Sequence, residues 1–247
     1  RAKNKAMSFG SAVHTALKHL FDKMQEAGRI FPDARELVDS FMKDMNKNKG
    51  SFSDADFEGL KAAAEEDLPA YYDQWVKSWN TTVLCEFSIN TIEMDGIPLN
   101  GKLDKLEFNA NNVNVVDYKT GSVVNGLKKL KGPDEKNPLG GEYWRQLYFY
   151  KILMDEIRPK KWTMVSGEID FIEKDERNKK EFVKQQLDVT NREGIIFVKE
   201  QIRETYKKIM NHEFTEGCGD KDCDWCNFAA EQFQSEKPVP NNEDLEV

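Results

Sequence analysis

The chain has 247 residues, with 36 Lys and Arg against 44 Asp and Glu, so its net charge is −8. A hydrophobic content of 39% permits a sizeable core, in one large domain or two small ones. The acidic balance excludes a surface that grips nucleic acid everywhere, because phosphate binding depends on Lys and Arg, so any such contact has to be local. No apolar run approaches the roughly 20 residues of a membrane helix, and the polar amino end does not resemble a signal peptide, so we expect a cytoplasmic protein.

The periodicity of apolar residues predicts helices in the first third of the chain and alternating strands and helices after it. The predicted helices span residues 7–24, 33–45, 53–79, 143–157 and 191–210. The predicted strands span residues 81–89, 97–108, 113–120, 162–172 and 181–187, the first three forming an antiparallel meander. This order predicts an α/β fold in which a mixed central sheet is flanked by helices and preceded by a helical N-terminal region.

The sharpest local signal is the hairpin formed by the second and third predicted strands. Its polar turn at 109–112 centres the pairing so that partner numbers sum to 221, which places Asp104 opposite Asp117 with Cβ atoms about 4.5–5.5 Å apart. Like charges opposed across a ladder destabilise it, so a divalent cation between them would explain the arrangement. Lys119 projects to the same face as Asp117, whereas the Tyr118 side chain points away and offers its carbonyl.

Two explanations of this hairpin remain open on its residues alone. A cation held by the carboxylates could polarise a phosphate and activate water for in-line attack, with Lys119 stabilising the developing charge. Alternatively, Asp104 and Asp117 are exposed residues near a turn, and Lys119 is their salt-bridge partner.

Four motifs of the sequence occur together in the order of a known nuclease family. The segments GKLDKLEF, DYKTG and YWRQLYFY resemble the PD-(D/E)XK superfamily, specifically its RecB-like nucleases, and this implies a restriction-endonuclease-like core. The four motifs are Gly101-x-x-Asp104, Asp117-x-Lys119, Gln146-x-x-x-Tyr150 and, ahead of them, Gly10-x-x-x-His14.

The resemblance assigns roles to these residues. It implies that His14, Asp104, Asp117 and the Tyr118 carbonyl bind Mg²⁺ or Mn²⁺. It also implies a catalytic set made of Asp104, Asp117, Lys119, Gln146 and Tyr150. Gln146 and Tyr150 lie at i and i+4, so one helix face presents both. Glu86 matches an acidic position often seen in the family.

Three cysteines crowd the carboxyl-terminal part, and we expect Cys218, Cys223 and Cys226 to be iron–sulfur or zinc ligands. Three thiolates are one short of a complete site, and Cys85 is better explained as a buried structural cysteine. In related nucleases an upstream cysteine completes a [4Fe-4S] cluster, so we expect this sequence to belong to a longer protein that carries it. The alternative is a metal-free closing loop.

The resemblance is strongest to the carboxy-terminal nuclease domains of UvrD/Rep-type helicase proteins. It implies a metal-dependent exonuclease on single-stranded DNA in repair or recombination, working with a helicase domain in the same longer chain or in a partner subunit. Two alternatives are a catalytically inactive module for DNA binding or protein docking, and a stand-alone nuclease similar to CRISPR-associated exonucleases. The predicted nuclease domain covers 1–233, followed by a disordered tail. Its predicted parts are a helical part at 1–80, a catalytic core at 81–213 and a cysteine-rich closing segment at 214–228, and the tail is 234–247.

Overall fold

The computed structural model describes residues 5–159, 162–175, 177, 181–213, 217, 223, 225–228 and 230. The chain divides into two compact units, residues 1–200 and 201–247. The first unit contains the sheet and five complete helices, and the described part of the second contains the end of the last helix. The predicted tail and Cys218 lie outside the described residues, and the predicted boundaries at 80, 213 and 233 stay predictions.

The helices of the structure follow the predicted apolar periodicity closely. They are α1 (Lys5–Glu26), α2 (Ala34–Lys47), α3 (Asp54–Trp75), α4 (Val123–Lys128), α5 (Glu142–Glu156) and α6 (Arg192–Met210). The predicted end of α3 at Trp79 is wrong by four residues, because the chain turns after Trp75 and Trp79 joins an aromatic cluster around Phe21. The six-residue helix α4 was not predicted, since it is too short to show a period.

Five strands form one sheet in the order β1-β2-β3-β4-β5. They are β1 (Val83–Met94), β2 (Ile97–Asn109), β3 (Asn112–Lys119), β4 (Thr163–Lys174) and β5 (Phe182–Asp188). The pair β3–β4 is parallel and the other pairs are antiparallel. This confirms the predicted α/β fold with a mixed central sheet, its antiparallel meander and its helical N-terminal region.

The two faces of the sheet are covered by different helices. Side chains of α1, α2 and α3 share a core with one face, to which the sheet contributes Val116, Tyr118 and Phe182. Helix α5 lies against the other face so closely that a Cβ on Gly167 would come within 2.8 Å of Leu147. The carboxyl end of β3 is therefore enclosed between α1 and α5, the two helices that carry predicted site residues.

None of the helices in the described ranges combines the length and apolar character needed to cross a membrane.

Candidate active site

Helix α1 brings His14 to the carboxyl end of β3. Gly10, one turn earlier, allows this approach, since a Cβ there would already lie 3.3 Å from the Thr120 hydroxyl. The Nδ1 atom of His14 is 3.3 Å from Asp104 Oδ1, and its Nε2 is 3.1 Å from the Tyr118 carbonyl oxygen. Burial opposes a charged imidazole, but the hydrogen bond and negative charge of Asp104 outweigh it, so the pKa of His14 is raised.

The β2–β3 hairpin has the predicted register. Its paired residues run from Asn109 opposite Asn112 to Lys105 opposite Val116, and each pair sums to 221. The pairing of β2 with β3 ends one residue before Asp104 and Asp117. At that point the Asp104 side chain accepts a 2.9 Å hydrogen bond from the Tyr118 backbone N–H. Asp104 therefore has one oxygen fixed by β3 and the other facing His14.

Asp117 is almost completely buried, and its two oxygens have different surroundings. Oδ1 accepts hydrogen bonds from the Tyr150 hydroxyl at 2.7 Å and from Gln146 Nε2 at 2.9 Å. Oδ2 is buried and lies 2.6 Å from Lys119 Nζ, with which it forms an ion pair. Burial raises the pKa of Asp117, and the charge of Lys119 opposes that effect.

The ammonium of Lys119 is held from three sides. It donates a 2.9 Å hydrogen bond to Gln146 Oε1, it pairs with Asp117, and it lies 4.8 Å from the centre of the Tyr143 ring. Because Gln146 also donates to Tyr150 at 2.7 Å, one face of α5 fixes both the lysine and the aspartate. This arrangement places the Lys119 ammonium beside the second carboxylate oxygen of Asp117.

Glu86 of β1 completes a group of three potential ligands. Its neighbours Cys85 and Phe87 pair with Lys105 and Leu103, which puts Glu86 across from Asp104. Glu86 has a φ of +55°, a left-handed conformation that is uncommon for a side-chain-bearing residue and rare within a strand.

One nitrogen or oxygen from each of His14, Glu86 and Asp104 lies within 4.8 Å of the others, the one such group among the described residues. Nitrogen and carboxylate oxygens of this kind, with the Tyr118 carbonyl alongside, are donors that suit Mg²⁺ or Mn²⁺. The group therefore fits a divalent cation.

The structure brings the motif residues of all four predicted segments to one place. His14 and Asp104 belong to the group of three potential ligands, and the Tyr118 carbonyl lies beside it. Asp117 is close to this group but is not a member of it. From the sequence, Glu86 is singled out only because it matches an acidic position often seen in the family, and this signal is weak because a glutamate in an edge strand is commonplace. Its left-handed backbone has no signature in the sequence.

Two of the three clustered cysteines, Cys223 and Cys226, belong to the described residues. Cys223 and Cys226 are half-buried, and the backbone N–H of Asn227 donates to the Cys223 carbonyl at 3.0 Å. Gly217 lies against Cys226, since a Cβ on that glycine would be 3.1 Å from the sulfur. Burial raises the pKa of Cys85 to about 12, which disfavours the thiolate a metal needs. The assignment of Cys218, Cys223 and Cys226 as ligands stays a prediction.

The chain matches the model of the PD-(D/E)XK nuclease superfamily over residues 1–230, and it belongs to that superfamily. Among solved structures, it is similar to a provisionally assigned exonuclease from Eubacterium rectale, with 13% identity, a TM-score of 0.45 and coverage of 90% of this chain and 85% of the other. It is also similar to a protein named SSO0001, with 13% identity, a TM-score of 0.36 and coverage of 88% and 83%. No curated protein sequence is significantly similar to the chain.

Proposed function

We propose that this protein is a Mg²⁺- or Mn²⁺-dependent deoxyribonuclease that hydrolyses DNA phosphodiester bonds. The observation that carries the proposal is the convergence of His14, Glu86 and Asp104 within 4.8 Å, next to the buried pair of Asp117 and Lys119. Membership of the nuclease superfamily supports the same chemistry. Mg²⁺ or Mn²⁺ held by these ligands would supply Lewis acidity, which polarises a phosphate and acidifies water.

The residues around this group have separable tasks. Asp104 and His14 hold each other in position, and Asp104 is further fixed by the Tyr118 backbone. Lys119 presents a pre-positioned ammonium that stabilises the negative charge developing on the phosphate during in-line attack. Gln146 keeps that ammonium in place through its side-chain oxygen.

Tyr150 and Gln146 both donate to Asp117, and these hydrogen bonds orient the buried carboxylate and favour its ionised form against the effect of burial. Their hydrogen bonds occupy Oδ1, so Oδ2 is the oxygen that faces Lys119 and that a metal ion or a water molecule would share with it. The proposed catalytic set is therefore Asp104, Asp117, Lys119, Gln146 and Tyr150, with His14 and the Tyr118 carbonyl on the metal side.

In finer detail, we propose a RecB-like enzyme that acts as an exonuclease on single-stranded DNA within a longer helicase-nuclease of DNA repair or recombination. The four-motif pattern described above supports this assignment. Strands labelled separately at the 5′ and 3′ ends would report polarity, and a circular single strand would report endonuclease action.

The deciding experiment is Mg²⁺- or Mn²⁺-dependent degradation of end-labelled single-stranded DNA by the protein and by Lys119→Met. We expect the variant to lose about 10²–10³-fold in rate, because a donor aimed at developing charge contributes on that order. Lys129→Met is the matched control, since Lys129 also faces the Tyr143 ring, at 5.3 Å, but is half-exposed and paired with Glu142. Equal rates for the protein and Lys119→Met would refute the assigned site, and DNA binding without cleavage would indicate an inactive binding module.

A further inference from the structure

A cleft opens beside the three-residue group, on the side away from Lys119. Its volume is about 520 Å³, and it lies between one face of α1 and the strands β1 and β2. The α1 wall includes Ser11, His14 and Lys18, and the opposite wall includes Lys102 and Glu86. Two cations thus line a cavity that ends at the candidate metal ligands.

Each lysine lies on the same helix or strand as a candidate ligand and close to it along the chain. Lys18 follows His14 by four residues on the same helix, which places it one turn, or about 6 Å, further along the helix axis. Lys102 precedes Asp104 by two residues on the same face of β2, which places it about 7 Å along the strand. The two ammonium groups therefore flank the space next to the metal site.

Each of these lysines forms an ion pair with a nearby carboxylate. Lys18 pairs with Asp22, and the two side chains are 44% and 40% exposed; Lys102 pairs with Glu86 and is 60% exposed itself. The Lys18–Asp22 pair, with both side chains this accessible, contributes only about 0–1 kcal/mol, so a phosphate oxygen can replace its carboxylate. In the Lys102–Glu86 pair the Glu86 side chain is only 18% exposed. Because Glu86 belongs to the cation group, a divalent cation there would compete with Lys102 for its carboxylate.

The net charge of the cleft lining becomes positive when a divalent cation is added. Lys18 and Lys102 balance Glu86 and Asp104, so the lining is close to neutral with His14 uncharged. A divalent cation would make it positive, and a bound ion is often the largest charge in a site. The cleft then attracts an anion although the whole chain has a net charge of −8.

We propose that this cleft binds the DNA strand through the phosphate next to the one that is cleaved, with Lys18 and Lys102 as its contacts. The proposal rests on the proposed nuclease function and adds the path of the strand, which runs along the α1 face from the metal site towards Lys18. The contacts are to phosphate oxygens, so they hold the strand without reading its sequence.

The test is the binding of a fluorescently labelled single-stranded oligonucleotide, measured by anisotropy over a range of salt concentrations. Lys18→Gln and Lys102→Gln are first made singly in the otherwise unchanged protein, and their binding is measured in EDTA. Each is then combined with Lys119→Met, and the binding of these double variants is measured in Mg²⁺. Lys23→Gln is the matched control, because Lys23 is also an exposed α1 lysine paired with a nearby glutamate, and it does not line the cleft.

We expect each cleft variant to bind several-fold more weakly and to lower the slope of log K against log salt by about 0.7, the value for one phosphate contact on a single strand. The loss for Lys102→Gln is expected to be larger with Mg²⁺ than with EDTA, and Lys102→Arg is expected to restore binding. Binding and slopes equal to those of Lys23→Gln would overturn the proposal. If Lys119→Met still abolishes cleavage in that case, the nuclease function stands; a protein that neither binds nor cleaves DNA refutes both.

Discussion

At the scale of single residues, Glu86 combines an unfavourable backbone conformation with a place in the candidate metal group. A left-handed conformation costs a side-chain-bearing residue about 1–3 kcal/mol, and such conformations concentrate at functional sites. The φ of +55° is thus tolerated because it directs the carboxylate towards Asp104 and His14.

We predict that Glu86→Gly stabilises the fold by about 1 kcal/mol and weakens Mn²⁺ binding at least tenfold, because glycine relieves the backbone but removes a ligand. Thermal denaturation and calorimetric titration with Mn²⁺ in the absence of DNA measure the two effects.

Thr91 provides the control for this substitution. It has a φ of +38° in the same strand and lies outside the group of ligands, so Thr91→Gly is expected to gain stability with unchanged Mn²⁺ affinity. Unchanged Mn²⁺ affinity in Glu86→Gly would show that Glu86 is not a ligand.

At the scale of elements, the position of α5 depends on a close backbone contact at its start. The Lys129 carbonyl accepts hydrogen bonds from the N–H groups of Tyr143 and Trp144, and it therefore caps the first turn of the helix. Gly141 permits this contact, since a Cβ there would lie 2.1 Å from the same oxygen. The cap in turn fixes the helix that carries Gln146 and Tyr150.

We predict that Gly141→Ala destabilises the protein by about 1–3 kcal/mol and also reduces nuclease activity, because the shifted helix moves Gln146 away from Lys119. Gly132→Ala in the same loop is the comparison, since its Cβ would meet Trp144 at an ordinary 3.4 Å. Chemical denaturation and the rate of DNA degradation are the measurements. Equal stability of the two variants would contradict the role given to the Lys129 cap.

At the scale of the whole molecule, the sheet face under α1 and α3 contains a network of buried charges. Lys105 is fully buried, with its ammonium 2.8 Å from Glu107 and 4.4 Å from the centre of the Phe21 ring. Asp170, also fully buried, accepts a 2.7 Å hydrogen bond from Tyr71 and lies 3.0 Å from Lys184. These charges are paired, as buried charges must be to be tolerated.

Glu168 is a member of this network whose titration is shifted towards neutral pH. Burial is the main cause that raises the pKa of Glu168 to about 7, and the negative charges of Asp170 and Glu107 act in the same direction. The positive charges of Lys184, 3.8 Å away, and Lys105 act in the opposite direction. Because the pKa in the folded state exceeds the ordinary value of 4.5, the folded state favours the protonated acid. The contribution of Glu168 to the stability of the fold is therefore greatest below pH 4.5, and it is lost as the pH rises through about 7.

We predict that the contribution of Glu168 to the free energy of unfolding falls by up to about 3 kcal/mol between pH 4.5 and pH 8. Glu168→Gln should remove this part of the pH dependence and be the more stable protein at pH 8. Glu93→Gln, at an exposed position on β1, should follow the parent protein. Parallel stability–pH curves for the protein and Glu168→Gln would show that Glu168 does not titrate in this range.

The burial of the charged residues in this network could not be predicted from the sequence. The long helices, the places of the strands along the chain and the hairpin register follow from apolar periodicity and from the turn at 109–112, which are local properties. Lys105 stands between Asp104 and Leu106 and resembles a solvated strand residue, yet it is fully buried because α1 covers that face. Likewise, the pairing of Asp104 with His14 joins distant segments, and only the four-motif pattern indicated it.

Tyr118 has a consequence for any search for function by mutagenesis. Its ring packs in the helix-covered core, whereas its N–H and its carbonyl contact Asp104 and His14. Replacing the side chain leaves both backbone groups in the chain, so an alanine scan would register Tyr118 as a stability residue. Its contribution to the site consists of main-chain groups. An amide-to-ester exchange at Tyr118 in a semisynthetic protein would remove the N–H that donates to Asp104 and leave the side chain unchanged.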